Sequence, residues 1–434
     1  MSKAMTNEKK ALVPRLRFLE FRDAGEWEEK LLREVTTVLQ GYGFPTAMQG
    51  KDDGKYPFCK VSDISRAVAE QGGLLADAAN YIDDADVSKL RAKLIPIGST
   101  VFAKIGEALR LNRRAFVHRK CLIDNNVVGL KAIPGAADDY FIYLLSQLID
   151  LNKHCGGAVP SVNKSTLAAI EVVLPSPEEQ QKIADCLSSL DALIAAQADK
   201  IDALKTHKKG LMQQLFPREG ETVPRLRFPE FRDAGEWEEY TLGQCLVKQP
   251  EYGINAPSVP YSENLPTYLR ITDISDDGLM RLDQKVSVAK DVTDENYLEE
   301  GDIVLARTGA SVGKSYKYRV EDGRLVFAGF LIRVRPDEIK IYSELLFQFL
   351  FTERYWRWVD FSSARSGQPG INGKEYASLP LQLPPTIEEQ QKISDCLSSL
   401  DALIAAHTER LEALKSHKKG LMQQLFPRPE AIPS

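Results

Sequence analysis

The chain is one unit written twice. PRLRFLEFRDAGEWEE begins at Pro14 and PRLRFPEFRDAGEWEE begins at Pro224, an offset of 210 residues. EEQQKIADCLSSLDALIAAQADKIDALKTHKKGLMQQLFPR begins at Glu178 and EEQQKISDCLSSLDALIAAHTERLEALKSHKKGLMQQLFPR at Glu388, again 210 residues on. Solenoid repeats run to roughly 20 to 50 residues, so each copy here is a whole domain plus a helix rather than a stacking turn. The length of 434 residues agrees, because single cores stop growing at roughly 250 to 300 residues.

Two variable stretches, 28–177 and 238–387, lie between the constant blocks and echo each other only faintly. CKVSDI (59–64) answers LRITDI (269–274), GSTVFAKIG (98–106) answers GDIVLARTG (301–309), and PSVN (160–163) answers PGIN (369–372). Aligned echoes in divergent sequence predict one fold carrying two different surfaces. Alternating apolar residues at 100–104 and 303–307, with glycines at both ends, predict short strands. The apolar runs 140–149 and 345–351 are long enough for a helix packed on such a sheet. Each variable domain is therefore read as α+β. One departure stands out: AVPSVN (158–163) faces GQPGIN (367–372), which predicts a differently built loop.

The constant helices carry a heptad seam. In the first copy it runs Ile183, Leu187, Leu190, Ile194, Ile201, Leu204, Leu211, Leu215, and in the second Ile393, Leu397, Leu400, Ile404, Leu411, Leu414, Leu421, Leu425. The skipped seam positions are polar, Gln197 and Lys208 in one copy and His407 and Lys418 in the other, and polar seam residues fix register at some cost in stability. Prolines 175, 177, 384 and 385 precede the glutamate pairs 178–179 and 388–389, and acids favour a helix N-terminus. Such a stripe needs a partner. The second copy supplies one, and the intervening domain predicts an antiparallel pairing about a pseudo-twofold axis. The expected layout is a constant segment 1–27, a variable domain 28–177, a constant region 178–237, a second variable domain 238–387 and a constant region 388–434.

Order and spacing of these blocks, with LPSPEEQQKI and LPPTIEEQQKI at the joints, resemble the specificity subunits of type I restriction-modification enzymes, over nearly the whole chain. The resemblance implies two target recognition domains, each reading one half of a split, asymmetric DNA site, held apart by antiparallel coiled-coil helices. It also implies partners: double-stranded DNA, two methyltransferase subunits, and restriction and translocation subunits joined through them. S-adenosylmethionine, ATP and magnesium would then belong to those partners, and this chain would be non-catalytic. A coiled-coil scaffold with two protein-binding end domains is the alternative of a different class, and an enzyme built on the Lys314 turn is a third.

Charge bears on the choice. The net charge of −5 is the wrong sign for a protein that coats DNA, so any DNA surface is local. Residues 97–131 carry Lys104, Arg110, Arg113, Arg114, Arg119, Lys120 and Lys131 against two acids, and residues 306–335 carry Arg307, Lys314, Lys317, Arg319, Arg324, Arg333 and Arg335 against two. Cations meet phosphates, and arginine is also the usual reader of guanine. The candidate contacts are Lys104, Arg110, Arg113, Arg114, Arg119, Lys120, Arg307, Lys314, Lys317, Arg319 and Arg324.

Other chemistry is missing its signature. TGASVGKS (308–315) has three residues between its glycines where a phosphate-binding loop needs four. The five histidines form no HExxH, the six cysteines form no CxxC, and no methyltransferase or dinucleotide motif is present. Without an apolar run of about 18 residues or a signal peptide, the expectation is a cytoplasmic protein that meets no membrane.

Overall fold

A computed structural model describes residues 12–156, 159–364 and 368–427. The heptad segments form two helices of 39 residues, Pro177–Leu215 and Ile387–Leu425, each about 58 Å long at about 1.5 Å per residue. Both carry two glutamates in the first turn, where the helix dipole favours negative charge. No helix among the described residues is long and apolar enough to cross a membrane.

Contacts divide the chain into two units, residues 1–200 with 407–434 and residues 201–406. The constant helices are thus not a module of their own, since each unit takes part of both. In the first unit the parts run antiparallel. Lys418 donates to both oxygens of Asp191 at 2.6 and 2.7 Å, while Gln197 donates to the His407 carbonyl at 2.8 Å and meets His407 Nδ1 at 2.7 Å. In the second unit Lys208 donates to both oxygens of Asp401 at 2.6 and 2.7 Å. Asp191 and Asp401 occupy the same place in the repeat, as do Lys208 and Lys418, so one ion pair is written twice. Each polar seam position therefore has a partner on the facing helix, and displacing either helix along the other would break it.

Every seam residue is buried or half-buried, but the facing helix is not all that covers the stripe. In the first unit Ile183, Leu187, Leu190, Leu421 and Leu425 belong to a core with Trp27, Phe141 and Leu144. In the second, Leu211, Leu215, Ile393 and Leu397 join Trp237, Leu345 and Leu346. The ends of the heptad pattern are thus domain core, which holds each variable domain to its helices through apolar burial at about 25 cal/mol per Å².

The PRLRF segments close each unit. Arg17 forks onto Glu179 at 2.8 and 2.6 Å and donates to the Gly25 carbonyl, while the Leu16 N–H donates to Gln424 O at 2.9 Å. In the second unit Arg227 forks onto Glu389 at 2.7 and 2.7 Å, Arg227 also donates to Gly235 O, and the Leu226 N–H donates to Gln214 O at 3.0 Å. The N-terminal segment thus ties the start of one long helix to the end of the other, as its copy does within the second unit.

Between these constant parts each variable domain is α+β. An antiparallel ribbon joins its entry to its exit, Glu28–Leu31 with Glu171–Leu174 and Glu238–Thr241 with Pro380–Leu383. In the first domain Thr36–Gln40, Val127–Ala132, Thr100–Ala103, Ala115–Val117 and Leu74–Leu75 form a five-stranded sheet in that order. In the second, Glu251–Tyr252, Leu331–Val334, Ile303–Ala306 and Ser315–Lys317 form a four-stranded antiparallel sheet. A second sheet completes each: Tyr81–Ile82, Tyr56–Cys59 and Leu122–Ile123 in one, and Ser258–Pro260, Val286–Val288, Thr267–Leu269 and Leu325–Phe327 in the other. The apolar runs form helices Asp139–Leu148 and Ser343–Phe349.

Candidate functional site

The two basic runs do not form two patches. Strand Thr100–Ala103 pairs antiparallel with Ala115–Val117, and Ile303–Ala306 with Ser315–Lys317. Antiparallel pairing puts the start of one strand beside the end of its neighbour. Lys104, Arg110 and Arg113 therefore lie at one end of the first pair, and Arg119 and Lys120 at the other. Arg307 and Lys314 lie at one end of the second pair, with Lys317 and Arg319 at the opposite end.

Many of these cations are neutralised by acids distant in sequence. Lys131 pairs with Asp139, Lys314 with Asp276 at 2.5 Å, Lys317 with Glu344 at 2.7 Å, and Arg324 with Asp294 at 2.9 Å. Arg333 holds Glu251 and Asp302, and Arg335 holds Asp302 and Glu299. Arg110 reaches Glu107 at 3.5 Å. Arg119 is exposed and donates to the carbonyls of Gly54 and Lys55, while Lys120 is exposed, and Arg113 and Arg319 are half-buried. The expectation for Arg114 is corrected. Only 4% exposed, it lies over the Phe102 ring and donates to Asn112 Oδ1 and Ile149 O. Burial lowers its pKa to about 10, and a side chain so enclosed cannot reach a duplex.

Lys104 and Arg307 share a distinct setting. Each is the residue just beyond its strand, at the aligned position of GSTVFAKIG and GDIVLARTG. The backbone of each is locked between two loops by the same bonds. The Lys104 N–H donates to Asn126 O at 2.8 Å, and its carbonyl accepts from Val162 N at 2.9 Å. The Arg307 N–H donates to Phe330 O at 3.0 Å, and its carbonyl accepts from Ile371 N at 2.9 Å. Two residues on, Gly106 N donates to Pro160 O and Gly309 N to Pro369 O. Both glycines sit at φ +75°, a conformation that favours glycine and turns the chain away.

The loops at 160–163 and 369–372 are thus built alike, against the expectation from their sequences, although residues 157–158 and 365–367 lie outside the described set. Each leads into a short helix capped by the matching asparagine, Asn163 accepting from Thr166 N and Asn372 from Glu375 N. Among the described residues neither Lys104 nor Arg307 forms an ion pair.

Surroundings of the two cations differ. The Arg307 guanidinium lies 4.9 Å from the centre of the Tyr252 ring, and its Nη1 donates to Gly329 O at 3.3 Å. The Tyr252 hydroxyl accepts from the Gly373 N–H at 3.0 Å. Gly253 makes this placement possible, since a Cβ there would stand 2.3 Å from Phe327 O. The residue bound through its carbonyl to the cation's N–H is Asn126 in one reader and Phe330 in the other, both exposed. Tyr252 was not legible as a site residue because it lies outside the basic runs, and Asn126 and Phe330 were not because they are uncharged residues within them; each is brought in by a pairing with a distant strand.

A model described as the type I restriction modification DNA specificity domain matches residues 24–206 and 254–416. The chain is 22% identical over 417 residues to the type I restriction enzyme MjaVIII specificity subunit of Methanocaldococcus jannaschii, covering 92% of each chain. It shares the fold of the type I restriction-modification system S subunit from M. genitalium, with TM-score 0.61 and 15% identity over 96% of this chain and 99% of that one. A chain from a structural study of type I R-M complex assembly and conformational transition matches with TM-score 0.51 and 18% identity, over 93% of this chain and 98% of that one.

Proposed function

Because the chain belongs to the type I restriction-modification DNA specificity family, we propose that it reads a split, asymmetric DNA site through the paired strand-end loops at Lys104 and Arg307. It is a type I specificity subunit. In this reading each variable domain recognises one half-site, and the long helices hold two methyltransferase subunits, through which restriction and translocation subunits join. S-adenosylmethionine, ATP and magnesium bind to those partners, and the work takes place in the cytoplasm. This chain supplies recognition, and methylation and cleavage come from its partners.

The observation that carries the proposal is the recurrence of one arrangement in two divergent domains. Among the described residues seven of the fourteen basic side chains of the two runs are tied to carboxylates, five of them in the second run, while the two at aligned strand ends carry no such tie and are presented by rigid loops. A free cation on a fixed backbone is what phosphate or base contact requires, and phosphate contacts position a protein while base contacts specify. The same loops can therefore serve both readers and still read different sequences.

Salt dependence tests this. In the assembled complex with its methyltransferase, Lys104→Ala is expected to weaken duplex binding and to reduce the slope of log K against log salt by about one. Lys120→Ala, at the opposite strand end, is expected to leave that slope unchanged. Equal slopes for the wild type and Lys104→Ala would remove Lys104 from the interface.

The helices set the gap between half-sites. Inserting one heptad between Lys200 and Ile201, and another between Ala406 and His407, keeps the pairs Asp191–Lys418 and Lys208–Asp401 on their own sides of the insertion. The rods lengthen by about 10 Å, so the gap in the modified sites is expected to widen by roughly three base pairs at about 3.4 Å each. An unchanged gap would mean that something else sets it.

A further inference from the structure

We infer that Arg307 reads a guanine in the second half-site and that Tyr252 is the positioning residue that aims it; the inference rests on the DNA-reading function proposed above. Of the seven cations in 306–335, five are paired with acids: Lys314, Lys317, Arg324, Arg333 and Arg335. Arg319 lies at the far end of the strand pair from the loops. Arg307 alone combines the absence of an ion pair among the described residues with a constrained side chain.

The constraint has three parts. The backbone on both sides of the Arg307 Cα is bonded into flanking loops, through Phe330 O and Ile371 N. The guanidinium lies against the Tyr252 ring, with its carbon 4.9 Å from the centroid, and Nη1 is held by Gly329 O at 3.3 Å. Tyr252 is itself held, because its hydroxyl accepts from the Gly373 N–H. The remaining guanidinium donors keep a fixed direction. A planar fork of two donors matches O6 and N7 of guanine in the major groove, and prior ordering on an aromatic face lowers the entropic cost of using it.

The Tyr252 ring, 50% exposed, lies against the fork, and Phe330, 62% exposed, is bonded through its carbonyl to the Arg307 backbone. Such faces suit base edges and thymine methyl groups better than phosphates. The first reader has lysine and asparagine at the matching places, Lys104 and Asn126, so the two readers bring different chemistry to one scaffold. Lysine is a point charge without a planar fork, and asparagine pairs with adenine edges rather than presenting an apolar face.

The test uses the full chain in its complex with the methyltransferase, mapping modified bases and measuring affinity on duplexes varied at each position of the second half-site. Arg307→Lys keeps the charge and loses the fork. It is expected to lower discrimination at one guanine position by on the order of 10- to 100-fold, leaving the first half-site and the gap unchanged. Tyr252→Leu removes the ring and is expected to relax the same position, while Tyr252→Phe keeps the stack and restores most of the preference. Thermal unfolding of each variant separates these effects from a loss of fold.

If Arg307→Lys weakened binding equally on all sequences with the site unaltered, Arg307 would be a phosphate contact and the inference would fall. Unchanged discrimination at that position in Tyr252→Leu would remove Tyr252 from its positioning role. A wild-type complex that modified no bipartite site would overturn the DNA-reading function itself, a failure visible before any variant is made.

Discussion

Replacing Arg227 by methionine is expected to destabilise the second unit by about 3 to 5 kcal/mol. The Arg227 and Glu389 side chains are 7% and 0% exposed, and two bonds of 2.7 Å join them. Loss of the arginine leaves a carboxylate buried in the first turn of a 39-residue helix without its basic partner among the described residues. The tether from Leu226 to Gln214 is then held by one backbone bond. For a unit of about this size each kcal/mol moves the unfolding temperature by roughly 2 to 4 °C, so a fall on the order of 10 °C is expected by calorimetry. Adding Glu389→Gln to the same chain removes the uncompensated charge and is expected to recover a large part of it. A loss below about 1 kcal/mol, as for an exposed pair, would mean that the PRLRF segment does not hold the unit together.

The same arginine and glutamate stand in both constant blocks, 162 residues apart each time, yet nothing in the repeat marked them as partners. The long helices were legible because heptad spacing is a direct consequence of helix geometry, and even their polar positions marked where Lys208 and Lys418 find partners. The strands at 100–103 and 303–306 were legible from alternation between glycines. What the sequence hid depends on distant pairing. Nothing near Lys317 or Arg333 announces Glu344 or Glu251, so two runs with equal excess charge looked alike as surfaces when five of the seven cations in 306–335 are internally balanced. Arg114 looked like its neighbours, although it lies buried over the Phe102 ring. Loops 160–162 and 369–371 looked unlike, yet make the same backbone bonds, because those bonds depend on the strand end and the capping asparagine rather than on the residues between.

Each reader must also fit its helices, and it does so at one repeated aspartate. In the first unit the Tyr140 hydroxyl donates to Asp191, which Lys418 already holds. In the second, Gln348 Nε2 donates to Asp401 at 2.9 Å, which Lys208 holds, and neighbouring Glu344 accepts from Lys317 and Ser398. Burial pushes the Glu344 carboxyl up, but Lys317 and the hydrogen bonds from Gln348 and Ser398 outweigh it and hold it below the usual range. Two unlike donors, a tyrosine and a glutamine, meet the same constant acceptor. A reader from a relative therefore needs a donor at that place, the ribbon strands that pair as Glu238–Thr241 with Pro380–Leu383, and apolar residues to cover Ile393 and Leu397.

This makes reader exchange the second large effect. A chain in which 238–387 is replaced by the equivalent stretch of a relative keeps Arg227, Glu389 and both long helices, and it keeps the Lys104 loops in the first unit. The measurement is sequencing of modified bases in cells carrying the complex with the original or the exchanged chain. The account predicts that one half-site is replaced outright while the other half-site and the number of base pairs between them stay as they were. Modification at a site in which both halves changed, or in which the unexchanged half was lost, would contradict the central claim that the two units read DNA independently from a common pair of helices.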